Sequence, residues 1–434
     1  MLAACLGFLI AFSLILFQTP IATALGLVGF GGYVLLSGFT PALSMVATVT
    51  RDSTLVYSLI VLPLFVLMGN LVAGAGISQD LFRAAQAFIG RRRGGLAMAT
   101  VVACGGFGAI CGSSVATAAT MGRVAIPAMR QLGYSDSLSA AAVAAGGTLG
   151  ILIPPSIIMV VYGIATQTHI GMLFAAGIVP GLIAIVGYVL AVKWSVWRQP
   201  DIAPLADESD RPHRGRLLKS LWPVAVIFGV VMGGIYGGLF TSIEASGIGA
   251  SAAMLFALTH RELNMQRIYA ILVDTAKTSA MMFAIVLGAA LFGEFINQTG
   301  VHESLLAVVK GSGLPPFGII LLIIVLYILL GSVLESLSMI LLTVPIFFPI
   351  ITALGYDPVW FGILIVVVVE IGLIHPPIGV NLFVIRSVMP DIPMMTIVRG
   401  VVPFIVADLL RILLIAAVPS LSLWLPKLLF PNVA

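Results

Sequence analysis

Charge is scarce in this sequence. Only 9% of its 434 residues are Asp, Glu, Lys or Arg, where an ordinary soluble domain carries roughly 25%. Cysteine is nearly absent: Cys5, Cys104 and Cys111 all sit in apolar surroundings. There is no CxxC and no Cys/His cluster, which argues against a redox or metal centre. HExxH, GxSxG and paired acidic metal motifs are missing too, so an intramembrane enzyme would lack both nucleophile and metal. The pI near 9.0 comes from basic residues spread through loops. They do not gather on one face, so nucleic acid is not a partner. Met1 to Phe17 is apolar without a basic leading segment, and reads as a first span rather than a cleaved signal peptide.

Apolar residues are what the chain has in plenty: 60% of the total, with a mean hydropathy of +1.17. The lipid bilayer is therefore the expected solvent. A spanning helix needs about 20 mostly apolar residues. Apolar runs place spans at about 1–17, 20–38, 55–77, 137–166, 170–192, 220–239, 242–259, 278–298, 357–388 and 399–423. The 46 Gly and 24 Pro fit membrane helices that pack closely and break beside cavities.

Two further stretches, 96–131 and 314–352, are apolar with a polar middle, at Gly112-Ser113-Ser114 and at Gly331-Ser332 through Glu335-Ser336. We read each as a helical hairpin that enters and returns on one side. The positive-inside rule favours that reading. With Arg91-Arg92-Arg93 in the cytoplasm, 17 of the 21 basic residues are cytoplasmic and both termini lie outside. Only Arg51, Lys310 and Lys427 are then outside, and Arg411 lies within a span. Residues 193–219 form the one hydrophilic linker. The stretches leading into the hairpins, Arg83 to Arg93 and His302 to Gly313, read as amphipathic arms at the interface.

A shift of 222 positions aligns the two halves. Ser114 meets Ser336, Pro127 meets Pro349, Gly133-Tyr134 meets Gly355-Tyr356, Gly150 meets Gly372, and Pro154-Pro155 meets Pro376-Pro377. An odd number of spans separates the units, so they have opposite orientation, the inverted-repeat signature of secondary transporters. Each repeat has a hairpin tip and an interrupted span, at Gly146 to Pro155 and at Gly372 to Pro377. Proline lacks an N–H, so the carbonyl four residues earlier loses its partner. In hydrocarbon an unpaired carbonyl costs several kcal/mol unless something satisfies it. A hard monovalent cation is one candidate, and the opposed helix N-termini suit an anionic group. Kinks packed against neighbouring helices are the plainer alternative. Of the acidic residues within spans, Glu335 is the first ionisable candidate. Glu370 is a possible brace for the second break, Asp408 and Arg411 a local ion pair, and His375 a wall residue or a ligand.

Gly112-Ser113-Ser114-Val115-Ala116-Thr117, Gly133-Tyr134 and Gly150-Ile151-Leu152-Ile153-Pro154-Pro155-Ser156, with Glu335-Ser336, Gly355-Tyr356-Asp357-Pro358 and Glu370-Ile371-Gly372 to Pro376-Pro377-Ile378-Gly379-Val380-Asn381, resemble the large membrane subunit of tripartite ATP-independent periplasmic (TRAP) transporters. The resemblance covers essentially the whole chain. It implies an all-α, elevator-type secondary transporter of the bacterial inner membrane, driven by a sodium gradient and without a cofactor. It also implies two partners: a small membrane subunit of about four helices, and a soluble periplasmic protein that delivers a carboxylate-bearing solute. One implied sodium site uses Ser113, Ser114, Gly147 and Gly150. The second uses Glu335, Ser336, Gly372 and His375, where the family usually has Thr in place of His375. The implied solute and ion set further includes Gly112, Thr117, Gly146, Thr148, Pro154, Pro155, Ser156, Gly331, Ser332, Pro376, Pro377 and Asn381. By the same likeness 1–77 is scaffold and the start of repeat 1, 78–192 is repeat 1 and 193–219 the linker. Then 220–298 is scaffold and the start of repeat 2, 299–388 is repeat 2, and 389–434 holds a last span. The alternative is a self-sufficient sodium- or proton-coupled anion symporter or antiporter of the same superfamily, working without a binding protein.

Overall fold

A computed structural model describes residues 2–90, 92–204, 221–259, 264–311 and 313–431. Every regular element among them is helical. Six helices are long and apolar enough to cross a membrane: Tyr57–Gly74, Ile170–Arg198, Ser242–Thr259, Met265–Gln298, Ser336–Ala353 and Met394–Ala417. Several apolar helices are shorter, among them Leu2–Leu16, Ile21–Ser37 and Trp222–Tyr236. Large apolar side chains are exposed on the outer helices, as at Leu35, Leu190, Leu322 and Leu410. Water would not tolerate so much exposed apolar surface, and hydrocarbon does.

Both hairpins are present. The first joins Gly95–Cys111 to Ser114–Gln131, and the second joins Pro316–Gly331 to Ser336–Ala353. Each is followed by the same punctuation. Gly133 and Gly355 take φ values of 77° and 81°, a left-handed conformation that glycine adopts without steric cost. Ser135 and Asp357 then cap the next helices, accepting bonds from the amides of Leu138 at 3.3 Å and Val359 at 2.7 Å. Both interrupted spans follow, as Asp136–Thr148 with Ile157–Thr166 and as Pro358–Ile374 with Val380–Val388. Asp136–Thr148 and Pro358–Ile374 lie at the centre of the molecule, while Val380–Val388 is only partly buried. Every residue from Val359 to Ile374 is buried.

A second group of helices lies beside them. Met265–Gln298 runs along Ile21–Ser37, and small residues bring the two backbones together. A Cβ on Gly288 would stand 2.4 Å from the Ala22 carbonyl oxygen. On the other side, Met394–Ala417 is tied to the first broken helix by the Ser137 hydroxyl, which donates to the Thr396 carbonyl at 3.1 Å. Arg130 bridges Asp136 at 2.6 Å and Asp391 at 2.5 Å. Its guanidinium holds the Asp391 carboxyl below the usual range.

The span map needs four changes. Phe39–Leu55 is a helix where the hydropathy left a gap, because its Thr, Ser, Arg51 and Asp52 interrupt any apolar run. The span expected at 278–298 begins at Met265. The last span is Met394–Ala417, with a separate helix at Ser420–Leu429. Ile170–Arg198 carries the helix beyond the expected 192, and the linker's 205–219 lies outside the described residues. Where arms were expected at Arg83 to Arg93 and His302 to Gly313, the structure has the helices Ile77–Ile89, which begins earlier and ends before Arg91-Arg92-Arg93, and Val301–Gly311.

Candidate functional site

The first tip is a two-residue turn. Gly112, at φ 63°, ends one arm, and Ser113 caps the other by accepting from the Ala116 amide at 3.4 Å. The Thr117 hydroxyl donates to the Ser113 carbonyl at 2.7 Å. A Cβ on Gly150 would stand 2.8 Å from that carbonyl oxygen, and one on Gly112 would stand 2.8 Å from the Pro155 carbonyl oxygen. Tip and break therefore meet backbone to backbone. Gly146 and Gly147 pack on Cys104 and Ala118, so they seat the broken helix against the hairpin.

The first interruption comes later than its glycines. The helix runs through Thr148 and a 3-10 turn at Leu149–Ile151 before it opens. Pro155 leaves the Ile151 carbonyl without an amide, and the Ser156 hydroxyl takes its place, donating at 2.5 Å. Ser156 also caps the next helix through the Met159 amide at 3.3 Å. Pro154 does the same to the carbonyl of Gly150, the residue that lies against the tip. The second repeat repeats the relation: Pro376 deprives the carbonyl of Gly372. A Cβ on Gly372 would stand 2.5 Å from the carbonyl oxygen of Gly331, at the second tip.

The second tip is longer. The Ser332 hydroxyl donates to the Leu329 carbonyl at 2.7 Å. Glu335 is exposed at the tip, and its carboxylate accepts from the amides of Leu337 at 3.1 Å and Ser338 at 3.4 Å. Ser336 is buried beside it. Glu335 thus caps its own helix with a negative charge, which suits the helix dipole and discourages an anion there. Among the described residues, His375 Nδ1 is buried without a hydrogen-bond partner, and Pro377 follows in the open segment. Of the four half-helix N-termini, only that of Val380–Val388, at Gly379, has no side-chain cap.

Asn381 joins the repeats. Fully buried, it donates to Ser114 Oγ at 2.8 Å and to the Ala144 carbonyl at 2.9 Å, while its own Oδ1 lies 3.0 Å from the Ser114 hydroxyl. One side chain of the second broken helix thus holds the first tip and the first broken helix. Replacing it with Leu strands the buried Ser114 hydroxyl, at a cost of about 1–3 kcal/mol, and removes the side-chain tie to the Ala144 carbonyl. We expect Asn381→Leu to melt several degrees lower than the parent in detergent, and Asn381→Ser to be milder; scanning fluorimetry checks both.

Next to the breaks lies an ionic network that the sequence showed only in part. Arg411 Nη2 reaches Glu370 at 2.7 Å and Asp408 at 2.8 Å. The Tyr188 hydroxyl donates to Asp408 at 2.8 Å and lies 3.0 Å from Thr148 Oγ1. All five residues are buried. The expected Asp408–Arg411 pair is there, and Glu370, two residues before Gly372, is held by Arg411. Tyr188 and the link to Thr148 were missed, because nothing in the sequence says which spans are neighbours. The network ties the last turn of Asp136–Thr148 to the helix Pro358–Ile374 and to Met394–Ala417.

Residues 8–421 match the family model described as the tripartite ATP-independent periplasmic transporter, DctM component. The C4-dicarboxylate TRAP transporter large permease protein DctM of Pseudomonas aeruginosa is 37% identical over 373 residues, 86% of each chain. The isethionate TRAP transporter permease protein DctMQ of Oleidesulfovibrio alaskensis is 34% identical over 93% of this chain, which spans 63% of that longer protein. Among solved structures, the YdaH transporter of Alcanivorax borkumensis superposes with a TM-score of 0.61 at 17% identity over 91% of each chain, a likeness of fold. The tips and breaks described above thus belong to a transporter permease and not to an enzyme: this chain is a member of the DctM family, the large permease component of TRAP transporters.

Proposed function

We propose that this permease imports a small organic anion across the bacterial inner membrane, drawing on a sodium gradient. The solute class is a carboxylate or a closely related acid, in keeping with the dicarboxylate and isethionate named for its relatives. A periplasmic binding protein delivers it, and a small membrane subunit completes the complex. Both termini face the periplasm in this reading, which follows the distribution of Lys and Arg.

The observation that carries the sodium reading is the repeated relation at the breaks. In each repeat, the carbonyl deprived by the first proline belongs to the glycine that touches the hairpin tip. Gly150 meets Ser113 and Gly372 meets Gly331. A bare carbonyl at membrane depth needs a partner, and sodium takes oxygen ligands. Site 1 then comprises Ser113, Ser114, Gly147 and Gly150, and site 2 comprises Glu335, Ser336, Gly372 and His375. The uncapped N-terminus at Gly379, beside Asn381, is where an anionic group finds free amides. Residues 78–192 and 299–388, with the helix Met394–Ala417 tied to them, move as one body against the frame of 1–77 and 220–298, in an elevator motion.

A ligand that binds only the folded state raises its melting temperature. Millimolar sodium is expected to raise that of the purified protein while potassium and choline do not. Ser113→Ala with Ser114→Ala is expected to shrink the sodium shift and slow uptake at normal expression. No sodium-specific shift in the parent protein would overturn the ion sites.

A further inference from the structure

Ile170–Arg198 and Met394–Ala417 pack antiparallel, Gly187 against Ala407. A furrow of about 620 Å³ opens between them on the outer face. Its walls are Val186, Leu190 and Trp194 on one helix and Val402, Val406 and Leu410 on the other. Its floor holds Tyr188, Asp408 and Arg411 of the ionic network. At one end the furrow runs into a pocket of about 350 Å³ that shares Trp194, Val402 and Pro403 with it. Arg198, Gln199 and Arg399 are among the residues that line this second pocket. Neither arginine has a carboxylate partner among the described residues. The Arg198 guanidinium lies 5.6 Å from the Trp194 ring centroid.

We infer that this continuous surface is a binding site for one anionic phospholipid of the cytoplasmic leaflet, with its phosphate at Arg198 and Arg399 and an acyl chain in the furrow. Three observations carry the assignment. The first is polarity: a slot with apolar walls opens at one end into a pocket lined by two arginines that have no carboxylate partner among the described residues. The second is length. At 1.5 Å per residue, Ile183 to Trp194 is about 17 Å, close to one leaflet of a hydrocarbon core about 30 Å thick. The third is position. Trp194 and Trp197, both exposed, stand at the basic end, as tryptophans do at membrane interfaces. Two arginines in one pocket favour a headgroup with net negative charge over a zwitterion. The acyl chain would lie over the buried Asp408 and Arg411 at the floor of the furrow. The inference depends on the membrane placement and not on which ion or solute is carried.

Native mass spectrometry of the full chain tests it, with phosphatidylglycerol and phosphatidylethanolamine supplied in equal amounts. One phosphatidylglycerol per chain is expected to survive activation that strips phosphatidylethanolamine. Arg198→Gln with Arg399→Gln should lower its affinity about thirtyfold. Lys427→Gln, which removes a charge elsewhere, should not. Val406→Trp fills the furrow and should release the lipid with both arginines in place. Equal retention of the two lipids overturns the site, as does full retention in both variants. A cysteine at Leu190 that crosslinks to the small membrane subunit in the assembled complex would assign the furrow to that subunit and overturn it as well.

Discussion

Gly372→Ala should abolish transport. The added methyl would sit 2.5 Å from the Gly331 carbonyl oxygen and 2.6 Å from the Gly331 carbonyl carbon. Both are backbone atoms, so no rotamer change relieves the clash, and the second tip must move away from the second break. Overpacking in well-packed interiors costs about 1–3 kcal/mol, and a backbone clash falls at the upper end. If tip and break must touch to hold the ion, about 3 kcal/mol lowers sodium affinity about hundredfold, at tenfold per 1.4 kcal/mol. Gly150→Ala is the milder twin. Its methyl meets the Ser113 carbonyl at 2.8 Å, and its other close neighbour is the Thr117 hydroxyl, which can rotate. Gly293→Ala is the control. It lies within Met265–Gln298 with nothing inside 4 Å of its added methyl, and Ala favours a helix over Gly by about 1 kcal/mol. Sodium-dependent uptake in proteoliposomes should rank Gly293→Ala at the parent's rate, Gly150→Ala below it and Gly372→Ala near zero. Full transport by Gly372→Ala would separate the tip–break contact from the ion site.

The tips and breaks themselves were legible in the sequence for a local reason. Glycine and proline punctuate a chain through their own backbone chemistry, whatever surrounds them. The caps at Ser135 and Asp357 went unread, but Gly133-Tyr134 matches Gly355-Tyr356 in register, and each Pro-Pro step announces an open helix. A shift of 222 positions therefore exposed both repeats. Phe39–Leu55 was not legible because hydropathy is a poor guide to a helix with only Ala42 and Met45 buried. Glu335 was legible as a residue at the tip, but not as the cap of its own helix, since rotamer choice decides that. Least legible were the partnerships across helices. Ser114 and Asn381 are 267 positions apart and Tyr188 and Asp408 are 220 apart. Only packing reveals such pairs, and the sequence gives no distance between spans.

The ionic network offers the sharper test of how the two broken helices are held. Arg411 faces two carboxylates, Glu370 and Asp408, all three within 3% of full burial. Removing one partner of a buried ion pair costs about 3–5 kcal/mol, because the partner left behind stays buried and charged. Arg411→Met leaves two carboxylates without a counterion. It is expected to accumulate poorly in the membrane and to melt far below the parent. Neutralising the whole set is a different matter, since well-packed hydrophobic replacements of a buried ionic group are often neutral or stabilising. Arg411→Met with Glu370→Leu and Asp408→Leu should therefore restore expression and melting temperature, by thermal shift and size-exclusion profile. Uptake by this triple variant then separates two roles. If the charges only hold the fold, transport returns with stability. Transport stays low in a stable triple variant if Glu370 and Arg411 also set the position of the second break relative to Thr148 and the first. We expect that result, because Glu370 is two residues from Gly372 and the Thr148 hydroxyl closes the network two residues from Gly150.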